Sequence, residues 1–265
     1  MQTVPVDQLV GKTLGDYHVE RLLGSGKVSA VYLAGQRSQK RTVMVTTFTI
    51  PESLSTAARE RYTARFMHIG SALVSPDHPH ILPIYDFGVH YGSPYLVTSF
   101  VKGGSLAQVL KQQPRFAPEQ ALDILKQIAD GLDFAHSRGM VHGLLNPANI
   151  LVSNEQPLQI TGFGLKQMLQ LQGIEEVNHT QAHLLSIAGT FLGSPEYLAP
   201  ECVLGAPVDA RADIYSLGIM LFELLSGTPP FTGADPLEVA TKRLQQPVPS
   251  LHGMCAALPA AFDLI

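Results

Sequence analysis

The chain has 265 residues, 45% of them apolar, enough for one large domain or two small ones with a real core, and too much for intrinsic disorder. Charged side chains make up 15%, against roughly a quarter in an average soluble domain, and 18 basic against 22 acidic residues leave a net charge of −4. That balance argues against a general nucleic-acid or acidic-membrane binder.

In chain order, Met1 to Pro5 lack a basic region followed by an apolar stretch, so no signal peptide is expected. Residues 1–16 read as an N-terminal extension. From Tyr17 to Phe48 the pattern favours three short antiparallel strands: one to Leu23, a glycine turn at Gly24-Ser25-Gly26, then Val28 to Leu33 and Thr42 to Phe48. Ser55 to Leu73 is a predicted helix, with Ala58, Tyr62, Phe66, Ile69 and Leu73 spaced by three or four and His78-Pro79 stopping it. Ile81 to Tyr85 and Tyr95 to Phe100 read as strands around a turn at Asp86-Phe87-Gly88.

After Gly103-Gly104 the period changes. Pro118 opens a helix whose apolar stripe is Ala121, Leu122, Leu125, Ile128, Ala129, Leu132 and Ala135, ending at Gly139. A second strong helix runs from about Asp209 through Ile214, Leu217, Leu221, Leu224 and Leu225 to Gly227, with strand-like pieces at Ile150 to Val152 and Leu158 to Ile160 between the two. The apolar window Ser216 to Leu225 is broken by Glu223 and too short to span a bilayer. A β-rich part followed by a helix-rich part predicts an α+β protein in two lobes, about 17–100 and 104–265, joined near Ser99 to Gly103. Cys202 and Cys255 make neither a disulfide framework nor a four-ligand zinc site, and they point to a reducing, cytoplasmic setting. The ten histidines are scattered, with no His-Glu-x-x-His pattern.

Taken alone, Gly24-Ser25-Gly26 is an ordinary hairpin signal; its place at the head of an ordered series of motifs makes it informative. After it come a Val-x-x strand at Val43, His-Pro-x-Ile from His78, Gly-Gly-Ser-Leu from Gly103, and His142-Gly143-Leu144-Leu145-Asn146-Pro147-Ala148-Asn149-Ile150-Leu151. Gly162-Phe163-Gly164, then Gly193-Ser194-Pro195-Glu196-Tyr197-Leu198-Ala199-Pro200-Glu201, then Asp213-Ile214-Tyr215-Ser216-Leu217-Gly218 complete the series. At these residues the sequence resembles the protein kinase superfamily, above all the bacterial eukaryotic-like serine/threonine kinases, from about Tyr17 to the last residue. The resemblance implies a bilobal fold with a β-rich N-lobe and a helical C-lobe. The chain stops where the last helices of that fold are only beginning, so a truncated C-lobe is expected.

The family's chemistry needs a glycine loop, a lysine paired to a glutamate, a base aspartate, and an asparagine plus an aspartate for magnesium. The glycine loop falls on Gly24, Gly26, Ser29 and Val31, with serine for its third glycine. The strand lysine falls on Thr46, and the helix glutamate on Ile69, so both ends of that ion pair are uncharged together. Loss of both partners strands no charge. The base aspartate is Leu144, the catalytic-loop lysine Asn146, and the metal aspartate Gly162, which leaves Asn149 as a lone neutral magnesium ligand. A literal Asp-Phe-Gly at Asp86 precedes the catalytic loop by more than about fifty residues, whereas the metal motif must come after that loop, and it reads as a turn. Lys27 resembles the relocated lysine of the with-no-lysine kinases but sits two positions early, and its plainer reading is a solvated loop residue.

In the adenine pocket the family's sandwiching residues correspond to Met44, Val31 and Leu151, and the hinge to Thr98-Ser99-Phe100-Val101 with Thr98 as gatekeeper. Methionine is larger than the family's alanine and fills part of that space, while backbone bonds from the hinge keep weak, metal-free ATP binding open. His142, Phe163 and Leu73 match members of the apolar spine, Asp213 the buried acid that supports the catalytic loop, and Glu201 an acid whose arginine partner lies in a later helix.

Losing a general base alone costs about 10²- to 10⁴-fold in rate. With three roles absent, the expectation is a pseudokinase that regulates or scaffolds phosphorylation signalling through a protein partner such as an active kinase. On this reading no cofactor is needed and magnesium is not used. The alternative is an atypical serine/threonine kinase or nucleotide-gated switch using Lys27 and Asn149. The segment between Gly162 and Glu201, longer than many in the family, offers a third reading as a peptide-binding module: its Ile174 to Ala188 stretch is most simply a mobile loop and alternatively a docking surface or a short helix that blocks the cleft, with Ser186, Thr190 and Ser194 as hydroxyls open to another kinase.

Overall fold

The computed structural model describes residues 9–26, 29–50, 54–74, 77–169, 194–255 and 258. These fall into two compact units: the described parts of 9–78 and 82–100 with 167–169, and 79–81 with 101–166 and the described residues from 194 onward.

The first unit is a six-stranded antiparallel sheet of order β1-β2-β3-β4-β6-β5. Its strands are β1 (Thr13–Leu14), β2 (Tyr17–Ser25), β3 (Ser29–Gln36), β4 (Arg41–Phe48), β5 (Ile84–His90) and β6 (Ser93–Ser99). Alternation decides which side is core. Ala30, Tyr32 and Ala34 of β3, Val43 and Val45 of β4, and Val97 of β6 are buried together with Val19, Tyr17, Leu14 and Leu9. The sheet therefore begins before Tyr17. Between β4 and β5 runs helix α1 (Thr56–Leu73), capped by the Ser55 hydroxyl, which accepts the Ala58 amide. Phe66 of α1 meets Phe48 with ring centroids 5.7 Å apart, and the Phe87 ring lies where a β-carbon on Gly70 would be, 2.5 Å from that position. Gly70 thus lets α1 close onto β5. Ile69, counted into the helix's buried face, is half-buried, because Phe66, Gly70 and Leu73 take the positions against the sheet.

The predicted turn at Asp86-Phe87-Gly88 is corrected: all three residues lie within β5, and the chain reverses at Tyr91-Gly92. The reason is side-chain use. Phe87 packs on Gly70, and the Asp86 carboxylate accepts the Tyr17 hydroxyl at 2.9 Å. Ile81, assigned to that strand from the sequence, instead makes a single parallel bridge to Ile160 in the second unit. At the glycine loop, Gly24 and Ser25 finish β2 opposite Val31 and Ala30, so the turn lies later than predicted. The Gly26 amide donates to the Ser29 carbonyl at 2.8 Å. Lys27 and Val28 lie outside the described residues.

The second unit holds a small sheet, β7 (Gly104–Ser105), β8 (Ile150–Val152) and β9 (Gln159–Ile160). Its helices are α2 (Leu106–Gln112), α3 (Pro118–His136), α5 (Pro200–Leu204), α6 (Ala210–Ser226), α7 (Pro236–Gln245) and α8 (Leu251–Met254), and α4 (Leu165–Leu169) starts in it. Helices α3 and α6 pack together. Helix α6 is buried almost all round, which accounts for its near-continuous apolar window. The predicted stripe of α3 holds at Ala121, Ile128, Leu132 and Ala135, but Leu122 is 43% exposed. It sits about 100° round the helix from Ala121. Ile214 of α6 likewise faces out, at 53% exposure. Among the described residues no helix is long and apolar enough to cross a membrane.

Candidate functional site

In the first unit, strand register gathers four of the sequence-derived positions. Val31 pairs with Thr46 and Thr46 with Leu96, while Leu33 pairs with Met44 and Met44 with Thr98. Val43 and Val45 turn into the core, so by strand alternation Val31, Met44, Thr46, Leu96 and Thr98 share the opposite face, with Gly24 beside Val31. None of these side chains is ionisable. The Thr98 hydroxyl oxygen is buried without a hydrogen-bond partner among the described residues. Phe100 ends the first unit's 82–100 stretch and Val101 begins the second unit's 101–166 stretch, both half-buried. Ile69 lies on α1 of the first unit, whereas Leu151 belongs to β8 in the second, paired with Ser105 and Gln159.

In the second unit the loop from His142 to Asn149 is held by a dense set of bonds. The Asp213 carboxylate is fully buried and accepts the amides of His142 at 2.8 Å and Gly143 at 2.7 Å. His136, at the end of α3, places Nε2 2.8 Å from the same carboxylate. The Leu144 amide donates to His142 Nδ1 at 3.2 Å, which leaves the proton of a neutral ring on Nε2, 2.9 Å from the Thr161 carbonyl oxygen. Burial holds the His142 imidazole below the usual histidine range, against the pull of the Asp213 carboxylate. Protonating Nδ1 would also cost the Leu144 bond. The His142 ring meets Phe163 edge-on at 4.9 Å.

Asn146 and Asn149 both donate their side-chain amides to the Leu144 carbonyl at 2.9 Å. The Asn146 carbonyl oxygen accepts the Ala148 amide and caps a 3-10 turn over Pro147–Asn149. Asn146 is therefore spent on the loop's own backbone. Leu144 is buried. Gly162 has φ +96°, and a β-carbon there would stand 3.7 Å from Asn149 Cγ and 3.5 Å from His142 Nε2. The positions matching the family's metal asparagine and aspartate are thus adjacent, but one of them carries no donor. Magnesium prefers carboxylate oxygens, and among the described residues no three His, Cys, Asp or Glu side chains converge. This loop does not supply a fit for the ion.

Three contacts had no sequence signal beyond helix phase. The Tyr197 hydroxyl donates to Glu223 at 2.5 Å, and burial pushes the Glu223 carboxyl up despite that bond. Arg243 of α7 is buried, with one guanidinium nitrogen donating to the Glu196 carbonyl at 2.6 Å. Lys166 lies against Gly143 and Cys202. Ile174 to Ala188, with Ser186 and Thr190, lies outside the described residues.

A buried acid under a loop of this order, between a six-stranded antiparallel sheet with one helix and a run of helices in the sequence, defines the protein kinase class, and residues 17–257 match the family model for the protein kinase domain. The chain belongs to that family. It is 33% identical over 259 residues to serine/threonine-protein kinase PknH of Mycobacterium bovis, covering 98% of this chain and 41% of the relative. It is 32% identical over 258 residues to serine/threonine-protein kinase PrkC of Bacillus subtilis, covering 97% and 38%. Probable serine/threonine-protein kinase PknB of Lactococcus lactis is 32% identical over 260 residues, covering 96% and 38%. The chain spans about two fifths of the length of these relatives.

Proposed function

We propose that this kinase domain is a pseudokinase, acting in phosphorylation signalling through a protein partner such as an active kinase rather than by transferring phosphate itself. The observation that carries the reading is the catalytic loop: its backbone is fully supported by Asp213, His142 and Asn149, while the base position is the buried Leu144 and the metal position is Gly162. A leucine accepts no proton, and glycine offers no oxygen to a metal. On the sheet of the first unit, the uncharged face of Val31, Met44, Thr46 and Thr98 adds no cation for phosphates. The relatives' names say serine/threonine-protein kinase, and loss of three separate roles is what sets this chain apart on our reading.

The test is radiolabelled phosphate transfer from ATP with magnesium, to the chain itself and to a generic basic protein, beside a thermal shift with ATP, with and without magnesium. No transfer above a no-enzyme blank, and no magnesium-dependent rise in melting temperature, are expected. Magnesium-dependent transfer that Lys27→Ala abolishes would establish the atypical kinase instead. The partner is sought by crosslinking the full chain in cell extract beside an active bacterial kinase domain; a scaffold raises that kinase's rate or directs it to a substrate.

A further inference from the structure

Lys166 and Cys202 stand 36 positions apart in the chain, yet the Lys166 ammonium donates toward the Cys202 sulfur at 3.5 Å. Both belong to the second unit, so the approach is internal to one compact body. Gly143 makes it possible. A β-carbon at 143 would stand 2.9 Å from Lys166 Cδ and 3.4 Å from its Nζ, so the lysine stem lies across the place where any other residue would begin its side chain. The thiol is equally fixed: Cys202 is buried on α5, its amide donating to the Ala199 carbonyl at 3.0 Å. Both cysteines are free, and the Cys255 sulfur has a different neighbour, lying 3.7 Å from the Leu225 carbonyl oxygen.

We propose that Lys166 and Cys202 are a modification site, at which a small hydroperoxide joins the two side chains through a sulfur–nitrogen bond. This rests on their contact and is independent of whether the domain transfers phosphate. In the first step the Cys202 sulfur attacks one peroxide oxygen; the oxygen–oxygen bond breaks, the sulfur is oxidised to a sulfenic acid, and one water leaves. In the second the Lys166 amine, having passed its ammonium proton to solvent, attacks that sulfur. The sulfur–oxygen bond breaks, the departing hydroxide takes a proton from nitrogen, and a second water leaves. Thiol, amine and one hydrogen peroxide thus give the tie and two waters. A reducing thiol reverses it by attacking the sulfur and releasing the amine, and a second thiol equivalent then regenerates Cys202.

An ordinary buried cysteine is inert to oxidants because its thiol stays protonated and shielded. Burial does push the Cys202 thiol up, and the Lys166 ammonium opposes it. The reaction is therefore slow at neutral pH and speeds up as pH rises and the thiolate becomes populated. Burial also limits the reagent to the size of hydrogen peroxide. The consequence is mechanical: the tie links α4 to α5 covalently within the second unit.

The test treats the full chain with hydrogen peroxide at pH 7 and pH 9, quenches it, and reads intact mass and mapped peptides. Expected is the loss of two hydrogens, about 2 Da, with a peptide joining Lys166 to Cys202 that dithiothreitol removes. More of it forms at pH 9. Cys202→Ser and Lys166→Arg each abolish the crosslink, Gly143→Ala lowers it by displacing the lysine, and Cys255→Ser leaves it unchanged. Circular dichroism confirms that each variant is folded, and the Lys166→Arg chain keeps its charge as a check on packing. Cys202 oxidised to a sulfinic acid with Lys166 free, or left untouched while Cys255 oxidises, would overturn the proposal.

Discussion

Asp213 is where the structural role of a retained motif residue separates from a chemical one. Its carboxylate is fully buried and takes three donors: the amides of His142 and Gly143 and the His136 ring nitrogen. Asp213→Ala leaves two backbone amides without an acceptor, at about 1–3 kcal/mol each, so a loss of about 2–6 kcal/mol is expected. Set against a total stability of about 5–15 kcal/mol, that is a large share. At about 2–4 °C per kcal/mol for a chain of this size, the melting temperature falls by on the order of 10 °C. Asp213→Asn keeps one carbonyl oxygen and so supports one amide, and its cost is about half. Equilibrium urea unfolding followed by circular dichroism gives the values, with calorimetry to separate the transitions of the two units. An Asp213→Ala chain within about 1 kcal/mol of the parent would refute the reasoning; so would equal costs for the alanine and asparagine variants, which would make the charge, rather than the count of acceptors, the stabilising quantity.

Other outcomes rest on the same kind of contact. His142 has its imidazole pushed down, so the unfolded chain takes up its proton first; stability is full above the ordinary histidine pKa of 6.5 and declines as pH falls below it, and His142→Gln should flatten that slope in pH-dependent melting curves. Glu223 is pushed up instead, so its contribution is present below the ordinary carboxyl range and lost as pH rises from about 4.5; Tyr197→Phe removes the 2.5 Å donor and should cost about 1–3 kcal/mol in urea titrations at pH 7, and less at pH 4. Gly70→Ala forces a β-carbon into the Phe87 ring and should cost about 1–3 kcal/mol, with Gly70→Ala/Phe87→Leu recovering part of it. The combined Leu144→Asp, Gly162→Asp chain meets no β-carbon contact closer than 3.5 Å at 162 but strains the backbone there at φ +96°, so it should lose about 1–2 kcal/mol in urea titrations and gain a magnesium-dependent thermal shift absent from the parent.

How far the sequence discloses the fold depends on what each residue answers to. Long elements with strong periodicity were legible: β2 to β4, α1, α3 and α6 lie where alternation and helical spacing place them, since burial of one face fixes both period and direction. Asp86-Phe87-Gly88 was misread because turn chemistry is local, whereas Phe87 is there to meet Gly70 and Asp86 to hold Tyr17. Leu122 and Ile214 entered the stripes because apolar character was counted without phase. At the site, motif order assigned Leu144, Asn146, Asn149 and Gly162 to the catalytic and metal motifs, and Val31, Met44, Thr46 and Thr98 to separate nucleotide motifs; that the last four share one sheet face is read from the strand register. What it could not supply was occupancy. Asn146 as a cap for its own loop, and Lys166 lying over Gly143, are facts of tertiary contact between residues with no local signal.

The two glycines of the catalytic region show why a loop of this kind persists when its acids do not. Gly143 has φ +69° and Gly162 φ +96°, a region where a side chain is strained. An aspartate or arginine placed at these positions would hold that conformation against its own backbone preference, at about 1–2 kcal/mol each. Glycine releases the strain while the acceptors that shape the loop, Asp213, His142 and the Leu144 carbonyl, stay in place. Buried carboxylates brought near one another would also have to be neutralised by a metal or a lysine, and here Asn146 carries no charge to do it. On the proposed reading the glycines at 143 and 162 therefore relieve a backbone strain that a charged side chain there would add.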